Sequence, residues 1–232
     1  MGSLDKGNML DPMQMERYIL MAEKFVHQFR SPLTGVNGYI ELLKEKETSV
    51  AGLKYLNKVE EGLNESFSML KRTEFFAQPV SVQPTWFSLD LFIQTIRQSF
   101  DKTNNENILF SAPDNQMEIF SDFHALTQIV TELLNNALES DSADDHSVYF
   151  NIFAEGTIQI KNEVTGLTDQ DLSHLFLPFY TTKSLHMGLG LPICQHFCQE
   201  LSAPLQASLD HDRQVICFQL NEIKMAPSRA NN

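Results

Sequence analysis

Cysteine, tryptophan, long apolar runs and clusters of basic residues are all scarce in this chain, and each scarcity excludes something. No apolar stretch approaches the ~20 residues that cross a bilayer as a helix. The opening string MGSLDKGNML has no apolar core of the kind a signal peptide needs. The sequence therefore predicts no membrane insertion and a cytoplasmic chain. Seventeen basic residues face thirty acidic ones, for a formal charge of −13. The longest basic run is Lys71-Arg72. Such a surface repels DNA and anionic lipid, so nucleic acid is not expected as a partner.

Only Cys194, Cys198 and Cys217 carry thiols, which points to a reducing compartment. Cys194 and Cys198 stand four apart on a predicted helix, sharing a face but too distant for an unstrained disulfide. With His196 nearby, a metal site is one reading. The other is a pair of small core hydrophobes, the commoner fate of buried cysteine.

What is present is ample apolar material, 42% of residues, in two textures. Residues 1–10 show no period and are expected to be loose. Asp11 as N-cap and Pro12 at the first helical position open a long helix. Its apolar positions Phe25, Phe29, Pro32, Val36, Ile40 and Leu43 advance by three or four and form one narrow stripe. A second helix carries Leu53, Leu56, Leu63, Phe67 and Leu70 and ends near Phe76. Two such helices joined by a short turn make an antiparallel hairpin over 11–77. A hairpin cannot enclose a core, so a second copy is expected to complete a dimeric four-helix bundle.

Residues 78–84 hold two prolines and read as a linker. From 85 to 223 helical patterns (89–100, 124–140, 191–201) alternate with strand patterns (107–111, 117–120, 147–153, 157–162, 214–220), as in an α/β sandwich. Residues 224–232 are expected to be a flexible tail. The fold class is α+β, a helical hairpin followed by an α/β sandwich.

His27 lies two residues after Phe25, so it points well away from the apolar stripe. Pro32, five residues on, removes a helical hydrogen bond and tends to kink the helix there. A surface histidine is the bland reading of this position. The string Phe25-Val26-His27-Gln28-Phe29-Arg30-Ser31-Pro32-Leu33 supports a sharper one, because it resembles the phosphoacceptor box of two-component histidine kinases. Three later strings resemble the ATP-binding domain shared by those kinases, gyrase, Hsp90 and MutL (the GHKL or Bergerat fold). Glu132-Leu133-Leu134-Asn135-Asn136-Ala137 resembles the N-box. Leu175 to Lys183, LFLPFYTTK, resembles the F-box. Gly188-Leu189-Gly190-Leu191 resembles the glycine turn that opens a helix toward phosphate.

That resemblance covers about residues 15 to 221, with the motifs in family order. It is closest to kinases of the nitrogen-regulation and flagellar-regulation type. The implied substrate is ATP with Mg²⁺. Asn136 is implied as the metal ligand, an amide oxygen being a hard donor suited to Mg²⁺. Asn162, Gly166, Thr182, Lys183, Gly188 and Gly190 are implied around the nucleotide. His27 would accept the phosphoryl group and pass it to an aspartate on a response regulator receiver domain. Gln28 and Ser31 would assist, the latter by positioning a water. Glu132 has two readings, a catalytic carboxylate or a surface one.

Several positions depart from the family. Gln28 replaces a carboxylate and is a poor base. Asn162 stands where an aspartate usually accepts from the adenine amino group, without the charge that strengthens such a bond. Val164 replaces a glycine and restricts a loop. His186-Met187 replaces Gly-Thr before the glycine turn. These motivate an alternative, a pseudokinase in which the hairpin is a phosphotransfer or docking module. An ATPase of the MutL or Hsp90 kind, suggested by Glu132, leaves the His27 string unexplained. No sensor domain is legible, so a separate input partner is expected.

Overall fold

The computed structural model describes residues 12–100, 107–113, 116–140, 147–183 and 187–228. The expected loose start at 1–10, the Asp11 cap and the substitution at His186 lie outside the described residues. The chain divides into two compact units between Pro79 and Val80.

The first unit is a pair of helices, α1 (Pro12–Lys46) and α2 (Val50–Ala77). Ser49 caps α2, its hydroxyl accepting from Gly52 N–H at 3.0 Å. Lys44 pairs with Glu60 at 2.5 Å, and Arg30 with Glu74 at 2.5 Å. Both pairs link α1 to α2, and each, lying at or near the surface, is worth at most about 1 kcal/mol. Helix α1 runs through Pro32 as one element. Pro32 cannot donate to the carbonyl of Gln28. Two residues on, the Thr34 hydroxyl donates to Arg30 O at 2.8 Å.

The apolar pattern of α1 is broader than the single stripe the sequence suggests. The buried apolar residues of α1 are Met15, Ala22, Val26 and Ile40. Most of the expected stripe is instead exposed: Phe25 at 40%, Val36 at 46%, and Phe29 and Leu43 besides. The two sets advance in step around the helix, so one burial stripe serves the hairpin and a neighbouring one stays uncovered. Buried Leu63 and Leu70 match expectation on α2.

Residues 78–84 carry no regular structure. The second unit then holds β1 (Thr85–Ser88), α3 (Leu89–Phe100), β2 (Ile108–Ser111), β3 (Met117–Ser121), α4 (Phe123–Leu138), β4 (Val148–Phe153), β5 (Thr157–Glu163), α5 (Asp169–His174), α6 (Gly190–Glu200), β6 (Leu205–Asp210), β7 (Val215–Leu220) and β8 (Lys224–Pro227). Five strands form a mixed sheet in the order β2-β4-β5-β7-β6, with β2 and β4 parallel and the other pairs antiparallel. Strands β1, β3 and β8 form a second, antiparallel sheet.

Alternation explains how the large sheet is covered. Val148, Phe150 and Ile152 of β4, Ile158 and Ile160 of β5, and Ile216, Phe218 and Leu220 of β7 are all buried. They share one core with Phe92 and Ile96 of α3, with Leu126, Ile129, Leu133 and Leu134 of α4, and with Cys194 and Cys198 of α6. Helices over one face of a mainly antiparallel sheet make the α/β sandwich.

The tail expected from 224 is corrected in part. Lys224 to Pro227 pair in register with Phe120 to Met117, closing the small sheet. Among the described residues, no helix is long and apolar enough to cross a membrane.

Candidate functional site

His27 is exposed on α1, and so are Gln28 and Ser31. At about 100° per residue, His27 turns away from both apolar stripes. The Arg30–Glu74 pair lies one helical turn further along. The imidazole is thus presented to solvent on a rigid rod, with a guanidinium on the next turn.

The remaining expected residues all belong to the second unit, and Asn136, Asn162 and Lys183 meet at the C-terminal end of α4. Asp122 starts that helix, its carboxylate accepting from Ala125 N–H at 2.9 Å. At the far end, Lys183 reaches across from the F-box string. Its ammonium donates to Asn136 Oδ1 at 3.1 Å and to Asn136 O at 3.3 Å, and pairs with Glu139 at 3.4 Å. An ammonium at a helix C-terminus also suits the negative end of the helix dipole.

Asn162 comes from β5. Period-two alternation puts it on the core side with Ile158 and Ile160, and it is 2% exposed. Its Nδ2 donates to Glu163 O at 2.9 Å and to Ser140 Oγ at 3.1 Å. Its Oδ1 is buried with no hydrogen-bond partner in the protein. Leaving such an acceptor unmet costs about 1–3 kcal/mol.

The F-box and the glycine turn are one structure. Phe179 N–H donates to Gly188 O at 3.0 Å, and Tyr180 N–H to Leu177 O at 3.1 Å. Gly188 has φ +64, and a Cβ there would stand 2.2 Å from Tyr180 O, so only glycine fits. Phe179 itself has φ 68, an uncommon value for a bulky residue. Helix α6 then begins at Gly190, and its N-cap residue Leu189 supplies no side-chain cap. Oε2 of Glu132 lies 3.1 Å from where a Cβ on Gly190 would be, so this half-buried carboxylate sits at the turn. Thr182 and Gly166 are exposed, and Gly166 has φ +71.

A brace holds the F-box from below. Thr168 and Asp171 form a capping box at the start of α5, and the Tyr180 hydroxyl donates to Asp171 Oδ1. Hydrogen bonds from the Thr168 side chain, then from Tyr180, hold the Asp171 carboxyl down at about 2, from a usual 3.8.

The burial of the cysteine pair bears on the two readings of it. Cys194 and Cys198 are buried in the core, and burial pushes the Cys198 thiol strongly up. Among the described residues no three His, Cys, Asp or Glu side chains are grouped to hold a metal. The cysteine pair is core packing. Val164, just past the end of β5, donates its N–H to Gln214 O at 2.8 Å and packs against the core.

Sequence reasoning passed over Glu139 and Ser140. Ser140 stands four after Asn136 and so shares its face of the helix end, which is the signal that marks it.

The donor set suits a nucleotide with its metal. Asn136 offers a hard amide oxygen, now covered by an ammonium in a cation's place. Mg²⁺ usually takes one or two protein ligands, with phosphates and water completing its shell. Asn162 offers a buried acceptor with no protein donor.

Residues 121–223 match the family described as histidine kinase-, DNA gyrase B-, and HSP90-like ATPase. Among curated proteins, Sporulation kinase E of Bacillus subtilis (strain 168) is 27% identical over 190 residues, which is 78% of this chain and 25% of that protein. Among solved structures, full-length ShkA in complex with AMPPNP is similar with a TM-score of 0.65 at 17% identity, over 94% of this chain and 47% of that one. Histidine kinase ThkA in complex with response regulator protein TrrA gives 0.59 at 19% identity, over 90% of this chain and 61% of that one. At these identities the structural likeness speaks for the fold. The chain spans about a quarter of the length of the curated relative.

Proposed function

We propose that this chain is the core of a two-component sensor histidine kinase, and that it phosphorylates His27 from ATP and passes the phosphoryl group to an aspartate of a response regulator. The observation that carries the reading is a pairing within one chain. A solvent-facing imidazole stands on a helical hairpin, and a GHKL-type domain follows that carries Asn136 under the Lys183 ammonium, Asn162 with a buried unmet acceptor, and the Gly188–Gly190 turn.

In this reading a ring nitrogen of His27 attacks the γ-phosphorus. A P–N bond forms, the P–O bond to the β-phosphate breaks, and ADP leaves. In the second step the P–N bond breaks as an aspartate oxygen of the regulator bonds to phosphorus. The protein's work is positioning and charge neutralisation, as in other phosphoryl transfers. Asn136 would hold Mg²⁺, which supplies neutralisation of the phosphate charge when bound. Lys183 exchanges Asn136 for a phosphate oxygen. The uncapped start of α6 offers its N–H groups to the same anion. Asn162 accepts from the adenine amino group. Gln28 orients the imidazole, and Ser31 positions a water for dephosphorylation.

Partners follow from the same reading. The exposed apolar stripe of α1, with Phe29, Val36 and Leu43, supports a homodimeric four-helix bundle. The complex of ThkA with a response regulator supports a receiver domain as the acceptor. A cytoplasmic site of action fits both.

The test is incubation of the protein with γ-labelled ATP and Mg²⁺ beside a His27→Ala variant. Acid-labile label that vanishes in the variant is expected. No label and no nucleotide binding would overturn the reading.

A further inference from the structure

We propose that Ser140 is a positioning residue that sets which nucleobase the domain accepts, by fixing the Asn162 amide so that only its oxygen is offered. The inference rests on the nucleotide-binding reading above and adds a residue and a selectivity to it.

Three hydrogen bonds form a small ring. Nδ2 of Asn162 donates to Glu163 O at 2.9 Å and to Ser140 Oγ at 3.1 Å, while the Ser140 hydroxyl donates to Glu163 O at 3.3 Å. A carboxamide has two orientations that differ only in which end is the donor. Here both neighbours choose the same one. The carbonyl of Glu163 can only accept. The hydroxyl of Ser140 has spent its hydrogen on that carbonyl and can only accept from Asn162. Turning the amide over would set Oδ1 against a carbonyl oxygen and a hydroxyl lone pair, with no hydrogen between them. Oδ1 is therefore held facing away from both, buried and without a partner. Binding has to uncover it, so its orientation is set before any ligand arrives.

A locked acceptor selects a donor. The exocyclic amine of adenine is one. Hypoxanthine carries a carbonyl oxygen at the same ring position and would meet Oδ1 with repulsion. The position is thus rebuilt around asparagine, and restoring the carboxylate typical of the family does not improve it. An aspartate would lose both Nδ2 bonds and place an anionic oxygen beside the Glu163 carbonyl.

The experiment is calorimetric titration of the full chain, with Mg²⁺, using ATP and inosine triphosphate. The proteins are wild type, Ser140→Ala, Ser140→Thr and Asn162→Asp, with thermal melts to verify folding. Wild type is expected to favour ATP by about 10- to 100-fold, the range for a buried acceptor left unmet. Ser140→Ala should shrink that ratio several-fold, and Ser140→Thr, which keeps the hydroxyl, should retain it. Asn162→Asp should bind ATP more weakly than wild type. Equal binding of the two nucleotides by wild type overturns the inference and leaves the nucleotide reading standing. An unchanged ratio in folded Ser140→Ala, or tighter ATP binding by Asn162→Asp, also overturns it. Binding of neither nucleotide by wild type overturns the nucleotide reading, and this inference with it.

Discussion

The ammonium of Lys183 lies 3.1 Å from Oδ1 of Asn136, so the oxygen expected to hold a metal already carries a positive charge. Lys183→Met removes a charged donor shared between Asn136 of α4 and its C-cap Glu139. It is expected to lower the stability of the ligand-free protein by about 1 kcal/mol, since the group is partly exposed and screened. Thermal melts at low and high salt test this. No shift at low salt would mean that the three contacts contribute nothing.

Glycines 188 and 190 are two residues apart and should respond oppositely. Gly188→Ala puts a Cβ against the Tyr180 carbonyl at a positive φ, and a loss of about 1–3 kcal/mol is expected. Gly190→Ala sits at the start of α6 and meets only the end of the Glu132 side chain. Helix propensity favours alanine there by up to about 1 kcal/mol, so stability should hold or rise. Chemical denaturation of both variants separates them. Equal losses would contradict the geometry.

Asp171 gives the domain an acid-side dependence. Its carboxyl is lower in the folded state, about 2, than its usual 3.8. It therefore contributes stability that is fully present above the usual value and is lost as pH falls toward 2. Tyr180→Phe removes one of the hydrogen bonds that lower it. The carboxyl is then expected to titrate closer to its ordinary value, readable by NMR of the carboxyl carbon. An Asp171 titration identical in the variant would show that Tyr180 does not act on it.

Gln28 is the weak point of the phosphoacceptor string. Restoring a carboxylate with Gln28→Glu supplies a general base beside His27. The initial rate of acid-labile labelling should rise about a hundredfold, at the low end of what such a base contributes. A rate equal to wild type would place the slow step elsewhere.

Much of this molecule is legible in its sequence, and the exceptions have physical causes. Helix α3 falls at Leu89–Phe100, as its period predicts, because one strong apolar face faces one core. Strands β1, β6 and β8 and the one-and-a-half-turn helix α5 were not predicted. Strands β1 and β8 and helix α5 are too short to show a period, while β6, LQASLD, is as long as β4 but carries only two large apolar residues; pairing with a neighbouring strand or the Thr168–Asp171 box defines them. On α1 the visible stripe is the one left exposed, because sequence records that a face is apolar but not what covers it. The site strings were readable as motifs. The Asn162–Ser140 bond was not, because it joins residues 22 apart in sequence.

The bond from Phe179 N–H to the Gly188 carbonyl matters to anyone exchanging parts between kinases of this kind. Two stretches that read as separate words are closed into one loop, with the strained φ of Phe179 at one end and the obligatory glycine at the other. A chimera whose seam falls between them would join halves shaped for different partners. The cut belongs before Leu175 or after α6, so that the loop travels whole.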